Sequence, residues 1–441
     1  MKLKKKSVYY IIGLLIVAVT CIPVMPNALK WLIALVPILF FSADITMQCL
    51  EEFYKKNLIN KYLTAIIVTL GLIATGKLPL AAIAIILFSA ANYLFGRTLD
   101  KATTRIKEAA EISAPYANAY ANGRVTRISV KEIAIGQTLV LNAGDIVPCD
   151  CSVLSGEALM DYTNIFGSNT VRTAKAGSNC FSGGIVQSGK LAVKAVKTAK
   201  DSLATLIRYR TDKALAPSPS QRKTLTLAKL FERVVYLAAL IYFIVLLIIT
   251  KDFTLAVNQA SVILVISAAA GLTDTLSALN LNAITSGRRR GVIFTDTKAV
   301  EQAGKLRTLS PNEPLNPDIR AKIEETNVVL AKGGYKDQDA VVYRSSAKLE
   351  ADPNPSFKLA LGFFSKKAQA TVLDSNPAHI PGAIRTGQHH RAVSRQNLIW
   401  VVAEKLSVIA LLFILNISPA AAVAIEFVAW MICLMNATKD I

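Results

Sequence analysis

The sequence predicts a multi-span α-helical membrane protein of about eight helices, with a β-rich soluble domain and a smaller α/β domain set between them. Three observations predict this. Hydrophobic residues make up 53% of the 441 positions and the mean hydropathy is +0.42, which places the chain in the membrane class. Apolar runs near 8–25, 30–49, 61–77, 79–96, 231–250, 255–279, 398–416 and 418–436 approach the roughly 20 residues that a helix needs to cross hydrocarbon. Two polar blocks interrupt the runs and give the expected division: 1–97, four transmembrane helices in two hairpins; 98–229, the β-rich domain with flanking helices; 230–280, two helices; 281–397, the α/β domain; 398–441, two helices and a short tail.

The first run follows Met1 and the basic residues Lys2, Lys4, Lys5 and Lys6. No small-residue cleavage site closes it, and Pro26 and Asn27 lead into a second run, so a retained helical hairpin is expected. The net charge of +20 has a topological reading: with a cytoplasmic start, the outer loops hold only Lys30, Lys77 and Lys251. The other Lys and Arg residues then face the inner side, as the positive-inside rule asks, and are drawn to anionic lipid heads. No basic module interleaved with aromatics is visible, so a nucleic-acid partner is not expected. The expected partner is the bilayer, with both termini and both soluble domains on the cytoplasmic side of a bacterial membrane.

Between about 120 and 197 the chain turns to short β-branched runs separated by Gly, Asn and Asp, which read as strands. Cys149 and Cys151, two apart, would face one way on a strand, with Cys180 as a third candidate metal ligand. The competing reading takes all three as small buried apolar side chains. In the second block, Asp318 to Glu325, Asn327 to Leu330, Ala340 to Tyr343 and Lys358 to Gly362 alternate helix and strand. That alternation predicts a reduced α/β domain with a mostly parallel sheet. Gly333-Gly334 reads as a turn, and His379, His389 and His390 are expected to be exposed.

Several motifs taken together resemble the heavy-metal-transporting P-type ATPases, their zinc/cadmium-like branch in particular. Gly144-Asp-Ile-Val-Pro-Cys-Asp150, Ser155-Gly-Glu-Ala158 with Asp161, Phe181-Ser-Gly-Gly-Ile-Val-Gln-Ser-Gly189 and Asp201-Ser-Leu-Ala-Thr-Leu-Ile207 resemble that family's actuator domain. Gly287-Arg-Arg-Arg-Gly-Val-Ile-Phe294 and Ala299 to Leu309 resemble its linker into the phosphorylation loop, which implies a truncated HAD-like phosphorylation domain here. The departures are as informative. Where the resemblance implies a phosphorylated aspartate stands Asn312, whose amide cannot attack phosphorus. Where it implies the glutamate that activates water stands Ser168, a poor base. The C-P-C metal site falls on Ala268, Ala269 and Ala270, which offer no ligand. The magnesium aspartates and the nucleotide-binding domain find no counterpart between Leu281 and Asn397.

The resemblance also implies that Lys405 and Glu426 stand where zinc/cadmium-type members carry a lysine and a metal-binding aspartate. Buried charges in a bilayer pair or line a pathway. A Lys405–Glu426 ion pair, joined by Asp274, is therefore expected as a structural remnant; a residual ion site and snorkelling toward the interface are the other readings. Glu404 adds a further carboxylate. The expectation drawn from all of this is a non-catalytic, pseudo-ATPase membrane protein that binds neither ATP nor Mg and serves as a regulatory, scaffold or accessory component beside an intact pump or another metal-handling membrane protein. The alternatives are a passive or gradient-driven cation pathway through Asp274, Lys405 and Glu426, or an active heavy-metal ATPase. A transition-metal ion is the one ligand left open.

Overall fold

The computed structural model describes residues 2–20, 25–111, 114–121, 123–166, 171–205, 217–267, 270–311, 314–331, 340–352, 357–362, 365, 367–372 and 376–439. Asn312, Ser168, Ala268, Ala269, Cys21 and the Gly333-Gly334 turn lie outside the described residues. The chain forms two compact units. One comprises Met1–Leu99, Pro219–Ala278 and Val393–Lys439; the other comprises Asp100–Ser218 and Leu279–Ala392.

The first unit is helical. Among the described residues six helices are long and apolar enough to cross a membrane, and Val8–Thr20 and Lys61–Ala74 are shorter apolar helices. Their boundaries follow local chemistry. The Asn60 side chain accepts from Tyr62 N and Leu63 N, satisfying donors at the start of Lys61–Ala74. Ser418 does the same for Ala421 N, with Pro419 in the first turn of Pro419–Thr438. Helices meet through small side chains such as Ala34, Ala81, Ala82, Ala84 and Ala422, all fully buried. Small residues let apolar helices approach closely where the surroundings are as apolar as the side chains. Large apolar residues such as Leu39, Ile248 and Ile414 point outward instead, as a lipid-facing surface requires.

The second unit holds two sheets. The first contains β1 (Tyr116–Ala121), β2 (Arg124–Ser129), β3 (Thr138–Asn142), β4 (Cys151–Asp161), β5 (Val171–Ala174), β6 (Asn179–Cys180) and β7 (Ile185–Ala195). Its order is β2-β1-β3-β7-β4-β5, with β6 against β4, and every pairing is antiparallel. Leu139, Met160, Val186, Leu191 and Val193 fill its core. Within the long β4–β7 pair, Gly156 (φ 99°) and Gly189 (φ 91°) adopt left-handed backbone conformations. A Cβ on Gly156 would strike the Lys190 carbonyl and one on Gly189 the Glu157 carbonyl, so only glycine fits where the pair bends.

The second sheet contains β8 (Val292–Phe294), β9 (Thr308–Pro311), β10 (Val329–Leu330), β11 (Ala340–Tyr343), β12 (Phe357–Leu361) and β13 (Ala370–Val372). Its order is β10-β9-β11-β12-β13-β8. All pairings are parallel except β13–β8, which agrees with the α/β reading. Helix Pro317–Glu324 is capped by Asn316. Its short strands are buried and apolar, as parallel strands are.

The histidine expectation needs correction. His390 is 1% exposed, and its Nε2 lies 3.0 Å from Asn280 Oδ1; His379 and His389 are partly buried. The reason is that helix Ile380–Leu415 starts at once after the sheet and packs its first turns inward. Gly387 lies so near Gly304 that a Cβ there would sit 2.6 Å from the Val300 carbonyl.

Candidate functional site

Strand β9 occupies an interior place in its sheet and ends at Pro311, one residue before Asn312. In the β-rich domain a short helix, Thr163–Phe166, precedes the segment that contains Ser168. That helix is anchored at both ends. Asp161 Oδ1 accepts from Thr163 N at 2.8 Å. Hydrogen bonds from Thr163, with a further one from Gln187, hold the Asp161 carboxyl below its usual range. At the other end the buried Arg288 guanidinium donates from Nε to the Ile165 carbonyl at 3.0 Å. In the sequence Arg288 stood out only as part of the Gly287–Phe294 stretch that resembles the family's linker. A charged residue whose partner is a backbone carbonyl 123 positions away leaves no local signal.

The three thiols are brought together, but as core. Cys149, Cys151 and Cys180 are 0%, 2% and 0% exposed. The Sγ atoms of Cys149 and Cys151 lie 3.6 Å apart, and Cys151 donates to the Cys149 carbonyl at 3.1 Å. Cys180 sits opposite Cys151 across the β4–β6 pair. The two-apart strand argument is corrected: β4 begins at Cys151, so Cys149 precedes the strand. Burial pushes the Cys180 thiol up to about 11. The hydrogen bond to Cys149 and then burial raise Cys151. Among the described residues no group of three or more His, Cys, Asp and Glu side chains is arranged to hold a metal ion.

Asp150, between the two cysteines, is the structural centre of this region. Its Oδ1 accepts from Ser182 N and Leu203 N, each at 3.1 Å, and its Oδ2 from Lys197 Nζ at 3.0 Å. One buried carboxylate therefore ties the segment before β4 to the turn before β7 and to the chain beyond it.

The helical unit holds the remaining charges. Lys405, Glu404 and Glu426 are all buried. The Lys405 ammonium pairs with Glu426 Oε2 and lies 3.0 Å from Glu404 Oε2. Asp274 does not join that pair: it pairs with Lys61 instead. Helix packing gives Lys405 its neighbouring Glu404 as second partner and sets Asp274 beside the first turn of Lys61–Ala74. Nearby, Asn397 donates to the Cys433 carbonyl at 3.0 Å and accepts from Asn436 at 2.9 Å. That bond network locks helix Ile380–Leu415 to Pro419–Thr438 beside the charges.

A sequence model of the P-type ATPase actuator domain matches residues 111–211. The chain carries a P-type ATPase actuator domain. β1 to β7 belong to it, and so do Asp150 and the three buried thiols. The chain is 24% identical over 268 residues to a zinc-transporting ATPase of Bacillus subtilis, covering 59% of this chain and 41% of that protein. It is 22% identical over 307 residues to a cadmium, zinc and cobalt-transporting ATPase of the same organism, covering 68% and 43%. The chain thus spans less than half the length of these curated relatives. Its fold is also that of a zinc-transporting PIB-type ATPase crystallised in the E2.Pi state, with a TM-score of 0.54 and 12% identity over 98% of this chain and 99% of that one. The helical unit with an actuator domain and an α/β sheet is the architecture of an integral membrane P-type ATPase relative.

Proposed function

We propose that this chain is a pseudo-ATPase: a P-type ATPase-like membrane protein that does not transfer phosphate and serves as a regulatory, scaffold or accessory component of a metal-handling membrane system. The observation that carries the reading is Asn312 directly after β9, where the resemblance implies the phosphorylated aspartate. An amide offers no anionic oxygen for an acyl phosphate. The second support is the spacing of the α/β sheet. Successive strands are joined by 295–307, 312–328, 331–339, 344–356 and 362–369, and the longest of these already contains helix Pro317–Glu324. Links this short support the reading that no nucleotide-binding domain is inserted between them. Neither ATP nor Mg is then expected to bind.

The test is phosphoenzyme formation. Purified protein incubated with radiolabelled ATP, Mg and zinc should form no acid-stable phosphoprotein, and Asn312→Asp should form none either. Label on the parent chain that is lost in Asn312→Ala would overturn the reading. A second reading, heavy-metal cation transport as the relatives' names state for those proteins, draws on Lys405 and Glu426. It expects ATP-driven zinc uptake into inverted vesicles. Uptake without ATP that Glu426→Gln abolishes would instead favour a passive cation pathway through Asp274, Lys405 and Glu426.

A further inference from the structure

The Lys61–Asp274 pair stands between two spaces in the helical unit. A cleft of about 590 Å³ is bounded by Glu52, Asn60, Arg222, Lys229 and Thr273. A second, smaller and partly open space of about 40 Å³ lies deeper among Ala91, Asn92, Glu426 and Trp430. Only roughly 10–15 Å³ is needed to seat one water, so the inner cavity can hold water beside Glu426. Trp430 favours that occupant: it is 2% exposed, and its indole N–H has no acceptor among the described residues. Three residues line both spaces, and they are Lys61, Tyr62 and Asp274.

We propose that the Lys61–Asp274 ion pair is a gate that separates the inner cavity from the cleft and, when it parts, connects Glu426 to water. Lys61 is fixed in the first turn of its helix by the Asn60 cap. Its ammonium lies 5.3 Å from the Tyr62 ring centre and 5.4 Å from that of Phe95, so the closed position is held by two aromatic faces as well as by Asp274. The positive end of the same helix favours a carboxylate at this place. Exposure decides which of the two ion pairs can open. The Lys61 and Asp274 side chains are 22% and 13% exposed, so each meets water as it swings into the cleft. Those of Lys405 and Glu426 are 8% and 9% exposed and would part only at the cost of an uncompensated buried charge. The movable pair therefore guards the fixed one. This gate does not rest on whether the chain hydrolyses ATP.

The experiment places a reporter thiol in the inner cavity with Ala91→Cys, in the full chain purified in detergent. Its modification by a small, cationic methanethiosulfonate is timed, and the parent chain is measured in parallel for its own thiols. Modification should be slow with the pair intact. Asp274→Asn should speed it about tenfold, equal to ~1.4 kcal/mol of stability in the closed state. Lys61→Met should do the same, which keeps the test intact if one variant fails to fold. The charge-exchanged double variant, Lys61→Asp with Asp274→Lys, should return the slow rate. Unchanged rates in the single variants, or a double variant that stays fast, would overturn the gate.

Discussion

Lys405 holds two buried carboxylates with one ammonium, and the order of losses on mutation follows from that count. Lys405→Met leaves Glu404 and Glu426 without a cation and should cost about 3–5 kcal/mol, read as a lower unfolding midpoint in mild detergent. Glu426→Gln should cost clearly less, because Lys405 keeps Glu404. In the actuator domain, Asp150→Ala removes one acceptor from three donors and should cost about 2–4 kcal/mol, measured by denaturant unfolding. Cys180 gives a pH test. The unfolded thiol ionises near its ordinary 9.0, while the folded one stays protonated to about 11. Its contribution is therefore complete below pH 9 and is lost as pH rises from 9 to 11. Cys180→Ala should flatten that decline in a stability-versus-pH series.

At the scale of elements, the Gly156–Gly189 crossing is the tightest point of the actuator sheet. Gly156→Ala adds a Cβ against the Lys190 carbonyl at a φ of 99°. It should destabilise the sheet by about 3 kcal/mol or more, seen as faster amide exchange along β4 and β7. Strands and helices were largely legible in the sequence, because apolar runs and turn residues are local signals. The actuator strands and the parallel α/β sheet follow from them. What was not legible is the choice of partner. Asp274 sits 213 positions from Lys61, and His390 is 110 from Asn280. Such pairs are set by how helices pack, and a single sequence carries no trace of that geometry. Cys149 misled for a smaller reason: the strand starts two residues later than the two-residue alternation suggested.

At the scale of the molecule, the placement of basic residues makes a topological prediction. A fluorescent protein fused after Thr438 should fluoresce, since folding of such a reporter requires the cytoplasmic side. A thiol introduced at Lys251 should react with an impermeant reagent from outside intact cells. The reverse pattern would reject the arrangement with both soluble domains inside.

The short links of the α/β sheet also bear on the order in which the chain is made. Of this sheet β8 leaves the ribosome first, yet its strand partner among the described residues is β13, the last of the sheet to be synthesised. Until Val372 has emerged, β8 is an apolar edge awaiting its mate, while the parallel strands between them can already associate. Sheet closure thus falls just before synthesis reaches helix Ile380–Leu415. A domain that forms in the order of its synthesis would have this sheet complete when helices Ile380–Leu415 and Pro419–Thr438 begin to insert.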